Sequence, residues 1–383
     1  MNQKTKWQQK QIGDVCEATR GTSITKKEVV DGKYPVIAGG QTPAYFHNQF
    51  NREGKTITIS GSGAYAGFTA YHKTPIFASD CTTLQIPKED NLLTKFLFLS
   101  LKSRQADIYK MQTGAAQPHV YCRDIAKMEI AFPPLAEQKR IVQILERQLE
   151  TVEKARIAAE KRLSEANALS AGILRAVFSS TESKSWKCAT LGDVITDMKD
   201  GGTPPRNNPE NFGGNIHWAV VKDIYPEIKT TRETLTERGL NNCSAKIWPV
   251  NSVIISLGAT IGNVGIAKIP LATKQGLSGI VVNNKKISYQ YLYYFLLHSK
   301  QFILSLASGT TIKEIRPPKL QSALTIPLPP LAEQKRIADL LGCQLAVTEK
   351  LQTVAAAELD EINALPAAFL RAAFSAPHPA VEA

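Results

Sequence analysis

Several stretches of the 383-residue chain carry residue types that could do chemistry, and each fails on spacing. EGKT at 53–56 resembles the end of a phosphate-binding loop, but the position five before Gly54 is Gln49 and not the glycine such a loop needs. GSGAYAG at 61–67 lacks the GxGxxG spacing of a dinucleotide site and runs into FTAYHKT, a strand pattern, so it reads as a tight turn between strands. Asp223 with Glu227 and Lys229 could form a nuclease-like constellation, yet residues 1–132 offer no counterpart. TPPR at 203–206 lacks the flanking residues of an amino-methyltransferase motif, and no nucleophile elbow is present. The six cysteines and six histidines are scattered without ligand spacing. The expectation is therefore no catalytic residue, no metal site and no cofactor bound by this chain.

What remains is a vocabulary of binding. In the first part of the chain it comprises Arg20, Lys26, Lys27, Tyr65, Tyr71, His72, Lys73, Gln117, His119 and Tyr121. In the second it comprises Arg206, Asn207, Asn208, His217, Trp218, Lys222, Lys274, Gln275, Lys313 and Arg316. Arginine matches guanine and Asn or Gln matches adenine on major-groove edges, while lysines satisfy phosphates. Charge supports a polyanionic partner: residues 1–132 hold 17 Lys/Arg against 11 Asp/Glu, and residues 180–328 hold 17 against 10. Residues 329–383, by contrast, hold 4 against 7. Two separately basic bodies suggest two contacts on DNA, although a basic surface also serves solubility alone.

Those residues must be positioned by a duplicated scaffold. Residues 133–179 and 329–375 align without a gap at an offset of 196, with 26 identities in 47 positions, each copy opening on PPLAEQKRI. In the first copy Ile141, Leu145, Gln148, Val152, Ala155, Ala159, Leu163 and Ala166 alternate spacings of four and three. The second copy carries Ile337, Leu341, Leu345, Leu351, Ala355, Leu359 and Ile362. This is the seam of a coiled coil, and each helix's natural partner is the other copy, packed antiparallel. Pro134 and Pro330 suit the first helical position. A kink is expected at Pro366 and near Ser170, after about 32 residues or roughly 48 Å.

The flanking blocks correspond as well. Trp7 with IGDV at 12–15 matches Trp186 with LGDV at 191–194, and the glycines around 63–67 match those around 258–262. KTITIS (55–60) and SVIISLG (252–258) read as strands, and KFLFLSLKS and YLYYFLLHS as short buried helices. The fold class is α+β: two pseudo-symmetric, mainly β recognition domains separated by two long antiparallel coiled-coil helices. The divisions are 1–132, a first recognition domain; 133–179, a central spacer helix; 180–328, a second recognition domain; 329–375, a C-terminal spacer helix; and 376–383, a tail.

The doubled PPLAEQKRI, the helix ends ILRAVFS (173–179) and FLRAAFS (369–375), and GGTPPRNNP, WAVVKDI (218–224) and GATIGNVG (258–265) together resemble the specificity (S) subunits of type I restriction-modification systems. The resemblance spans essentially the whole chain. It implies a non-catalytic subunit whose two domains each read half of a bipartite, asymmetric site in double-stranded DNA, with the helices as ruler. It also implies that two methyltransferase (M) subunits carrying S-adenosylmethionine dock on the helices and methylate adenine. Restriction (R) subunits that use ATP and Mg may join them. A cytoplasmic setting is expected, with no membrane partner, since 43% hydrophobic and 21% charged residues without a long apolar run suit a soluble protein. A catalytic domain of unfamiliar type and a coiled-coil scaffold without sequence preference remain the alternatives.

Overall fold

The computed structural model describes residues 7–114, 116–258, 260–309 and 313–374. The expected tail, 376–383, lies outside the described residues. The chain forms two compact units, one of residues 1–160 with 357–383, the other of residues 161–356. Each is an α+β body in which a mainly β head meets segments of both long helices.

In the first unit the head's main sheet runs in the order Glu17–Arg20, Cys81–Gln85, Thr56–Ser60, Thr69–His72. Thr56–Ser60 is central and buried at every residue, which suits its β-branched TITI run. A smaller sheet orders Tyr45–His47, Tyr34–Ile37 and Phe77–Ala78, and Gln8–Gln11 pairs with Glu129–Phe132. The second unit repeats the plan. Its main sheet orders Ile195–Asp200, Leu277–Val282, Val253–Ser256, Val264–Ala267, with Glu227–Ile228 added at the edge. Its smaller sheet gains a strand: Glu233–Leu235, Phe212–Ala219, Leu271–Thr273, Ile247–Trp248. Over each main sheet packs the apolar helix expected there, Thr94–Ser103 or Tyr289–His298, and the latter is capped by Ser288 accepting from the Tyr291 N–H. The turn at 61–67 joins two strands and places Gly63 and Gly67 at φ of 81° and 89°, where glycine avoids a Cβ clash.

The long helices run Leu135–Phe178 and Leu331–Phe374, 44 residues each. At 1.5 Å per residue each is about 66 Å long. The helices do not stop and restart after about 32 residues, where a kink is expected: helical residues continue through Ser170 in the first copy and through Pro366 in the second. A proline removes one N–H, and the turn that follows it is anchored by Phe369 and Leu370 in the core of the first unit. The opening prolines also stand one place earlier than expected. Pro134 and Pro330 precede the helices, and their carbonyls accept from the Gln138 and Gln334 N–H groups at 3.1 and 3.0 Å.

Packing within each unit shows the antiparallel pairing. In the first, Ile141, Val142 and Leu145 from the start of one helix share a core with Leu370 from the end of the other. In the second, Ile337, Leu341 and Leu345 share a core with Leu174 and Phe178. Val152 is buried, Leu163 and Leu359 half-buried. Leu351 is a correction: it is 49% exposed, and Thr348 and Gln352 fill the seam instead. Gln352 donates to the Ala166 carbonyl at 3.1 Å and lies 3.4 Å from the Ser170 hydroxyl. A polar pair thus replaces the apolar contact that heptad spacing suggested.

One residue of the repeated PPLAEQKRI explains its retention in both copies. Gln138 is wholly buried. Its Oε1 accepts from the Leu93 N–H at 2.9 Å, and its Nε2 donates to the Asn91 and Pro133 carbonyls at 2.7 Å each. Gln334 repeats the arrangement on Ser288 N–H, Lys286 O and Pro329 O. An amide is the one side chain that offers both donors and an acceptor here, so each clamps helix start to head.

Candidate DNA interface

The first head brings together three of its expected site residues and disperses the rest. Arg20 ends the strand Glu17–Arg20, and its guanidinium lies 3.7 Å from the Asp80 carboxylate with its side chain 76% exposed. With His119 and Tyr121 it lines a small cleft of about 60 Å³. The His119 and Tyr121 rings stack at 6.1 Å, and the Arg123 guanidinium sits 5.0 Å over Tyr121. His119 is fixed by backbone pairing with Thr113 and Ser62, and Ser62 donates to Asp80. Gln117 and Tyr65 are exposed on neighbouring turns, and Lys26 and Lys27 are exposed on a turn of their own.

Tyr71, His72 and Lys73 lie elsewhere, on and just beyond the strand at the opposite edge of the sheet from Arg20. Tyr71 packs on Phe98 at 5.6 Å under the Lys95 ammonium, 4.6 Å from its ring. The His72 Nε2 is 2.8 Å from the Thr58 hydroxyl, and burial pulls its pKa down to about 4. Tyr71 and His72 therefore serve packing rather than an open surface; Lys73 alone is exposed.

The second head concentrates its site in one cleft of about 640 Å³. Of the residues named from sequence, Lys222, Lys274 and Gln275 line it, and so do Asp200, Glu233 and Glu314, which sequence reasoning missed. Arg206 reaches the rim through Glu233, which accepts from both its terminal nitrogens at 2.5 and 3.2 Å; this ion pair holds the Glu233 carboxyl below the ordinary range. The Arg206 guanidinium also covers Phe212 and Trp218 at 4.9 and 5.1 Å.

Trp218 corrects the sequence reading. It is wholly buried and donates its indole N–H to the Gly202 carbonyl at 3.1 Å, so it supports the wall and has no face for a ligand. It falls on an inward position of Phe212–Ala219, whose alternation sets it into the core. Asn208 caps a short turn by accepting from the Glu210 N–H, and His217 lies half-buried beside the Thr231 hydroxyl at 3.2 Å. Asn207 and Lys313 are exposed, and Arg316 lines a shallower recess beside Glu314 and Lys319.

The missed residues had one signal. Arg20 and Asp200 each stand just before a glycine, at an offset of 180, one more than the 179 that aligns IGDV with LGDV, and the extra residue is taken up by the irregularity between Ile195 and Asp197. Among the described residues no helix is long and apolar enough to cross a membrane.

Comparison with known proteins bears on both heads. The family model described as the type I restriction modification DNA specificity domain matches residues 4–161 and 183–353. The type I restriction enzyme MjaIX specificity subunit of Methanocaldococcus jannaschii is 33% identical over 166 residues, 42% of this chain and 38% of its own length. The MjaVIII specificity subunit of the same organism is 24% identical over 387 residues, covering 88% of this chain and 85% of its own. A chain solved in work on complex assembly and conformational transition of the type I R-M system matches over 96% of this chain and 97% of its own. Its TM-score is 0.75 at 21% identity, so the two share a fold.

Proposed function

Because the chain belongs to the type I restriction-modification DNA specificity family, we propose that its two heads each read one half of a bipartite, asymmetric site in double-stranded DNA. In this role it directs adenine methylation, and restriction where R subunits join, by partner subunits and performs no chemistry itself. The observation that carries the reading is a repeated scaffold with differently lined clefts. The strand order of the two main sheets matches, while one cleft presents Arg20, His119 and Tyr121 and the other Lys222, Lys274 and Gln275. Lysines and arginines around a cleft suit phosphates and base edges.

The long helices serve as ruler and dock. On the C-terminal helix Leu340, Val347, Leu351 and Val354 are 42 to 66% exposed and recur at helical spacing, an apolar stripe outside the seam that suits two methyltransferase subunits. S-adenosylmethionine belongs to those partners, and ATP and Mg to restriction subunits. The domain divisions set out from sequence, 1–132, 133–179, 180–328 and 329–375, are retained as the functional parts. The test is co-expression with the methyltransferase subunit, followed by single-molecule sequencing of host DNA for methyladenine. A split motif with a fixed non-specific spacer is expected; an unsplit motif, or methylation indifferent to this chain, refutes the reading.

A further inference from the structure

The two heads share a frame on which cleft residues match one for one. Across their ladders Arg20 faces Thr82 and Asp200 faces Ser278. The next residues, Gly21 and Gly201, donate to the Cys81 and Leu277 carbonyls at 2.8 and 2.9 Å. Val120 donates to Gly61 O at 3.0 Å as Ile315 donates to Leu257 O at 2.8 Å. His119 pairs with Thr113 as Glu314 pairs with Ser308. Arg20 and Asp200 therefore stand at one scaffold position, His119 and Glu314 at another, and both positions line the cleft of their head.

At those positions the hydrogen-bonding chemistry is inverted. The first head presents a guanidinium and an imidazole, the second two carboxylates. Where the first head has Asp80, whose carbonyl accepts from Gly61 N–H, the second has Gly276, whose carbonyl accepts from Leu257 N–H. The Asp200 carboxylate takes the Gly276 N–H at 3.1 Å, and burial, with Glu314 adding to it, pushes its pKa up. Among the described residues Glu314, Lys222, Lys274 and Gln275 have no side-chain hydrogen bond or ion pair, so the cleft is lined with unused donors and acceptors. Carboxylates in a cleft that faces a polyanion are unfavourable unless the ligand supplies donors. In the major groove the donors are the exocyclic amino groups of cytosine and adenine; guanine N7 and O6 are the acceptors that fit arginine.

Resting on the function proposed above, we propose that these paired positions determine specificity with opposite polarity. Arg20 and His119 read guanine acceptors in one half-site, and Asp200 and Glu314 read an exocyclic amino group in the other. Once sequencing has given the site, the complex of this chain with its methyltransferase subunits is titrated with duplexes in which single bases lack one group. The replacements are 7-deazaguanine for guanine, purine for adenine and pyrimidin-2-one for cytosine.

In one half-site a single amino deletion should weaken the parent complex about 5- to 150-fold and Glu314→Ala, which removes the acceptor, less than about twofold. In the other, 7-deazaguanine should penalise the parent and spare Arg20→Leu, which has no donor for N7. Glu314 is exposed and unpartnered and the Arg20 side chain is 76% exposed, so neither variant threatens folding. Equal penalties in parent and variants overturn this assignment alone. A parent complex without a split site overturns the proposed function and this assignment with it.

Discussion

Replacing Gln138 by leucine keeps the volume of a wholly buried side chain and deletes three hydrogen bonds: from Leu93 N–H and to the Asn91 and Pro133 carbonyls. At about 1 kcal/mol net for each bond the loss is about 3 kcal/mol. Asn91 is an exposed residue whose carbonyl water can serve, whereas the half-buried Leu93 N–H and the carbonyl of the buried Pro133 are left short of partners, which brings the total to about 4 kcal/mol. Gln334→Leu should cost the same in the second unit, where Gln334 bonds Ser288, Lys286 and Pro329. A glutamate in place of Gln138 sets a carboxylate oxygen against two carbonyls. Its folded pKa lies above its unfolded value, so the variant's deficit is small below about pH 4 and grows as pH rises. Equilibrium guanidinium unfolding of each variant, with exposed Gln143→Ala as control, measures these shifts. A leucine variant at both sites within 1 kcal/mol of the parent refutes the clamp, as does a Gln138→Glu deficit that is flat between pH 4 and 7.

Three further outcomes are expected. Inserting one heptad after Glu160 and after Ala356 lengthens each helix by about 10 Å and should lengthen the non-specific spacer by about three base pairs while leaving the half-site letters unchanged, as read by methylome sequencing. Leu351→Glu with Val354→Glu, on side chains 49 and 66% exposed, should abolish co-purification with methyltransferase subunits yet change the unfolding free energy by no more than about 0.5 kcal/mol. His72 has a folded pKa of about 4 against about 6.5 unfolded, so the unfolded chain binds more protons and stability falls as pH drops from 6.5 toward 4. His72→Asn should flatten that part of the pH–stability curve by about 2–3 kcal/mol; a variant curve parallel to the parent's speaks against a buried neutral imidazole.

The scaffold was legible because its signals are local. KTITIS and SVIISLG alternate or run apolar over one strand length, and the ungapped repeat at 133–179 and 329–375 carries its own seam. The misreadings needed information that no local window holds. Trp218 is named with the binding residues by its sequence neighbours, but its neighbours in three dimensions, Gly202 and Arg206, place it in the wall. Leu351 obeyed the heptad count, but Gln352 found the Ala166 carbonyl and turned the seam. Asp200 and Glu314 line one cleft from positions far apart in sequence, and a search for basic residues passes over carboxylates. Pro366 sits in a helix whose next turn is anchored by packing, a tertiary effect that overrides the local cost.

The closing of the first unit's core by Leu370, with Phe374 against Phe96 at 5.3 Å, bears on how the chain is made. Residues 161–356 contain the whole of the second unit, whereas the first unit waits for a segment translated more than 200 residues after its head. During synthesis the head encoded first is thus the one finished last. A stop codon just before Phe369 would spare the second unit and leave the first without its lid. At the level of the gene, and on the function proposed above, the two halves of the target site would then be unequally exposed to truncation, the half assigned to the first head being lost first.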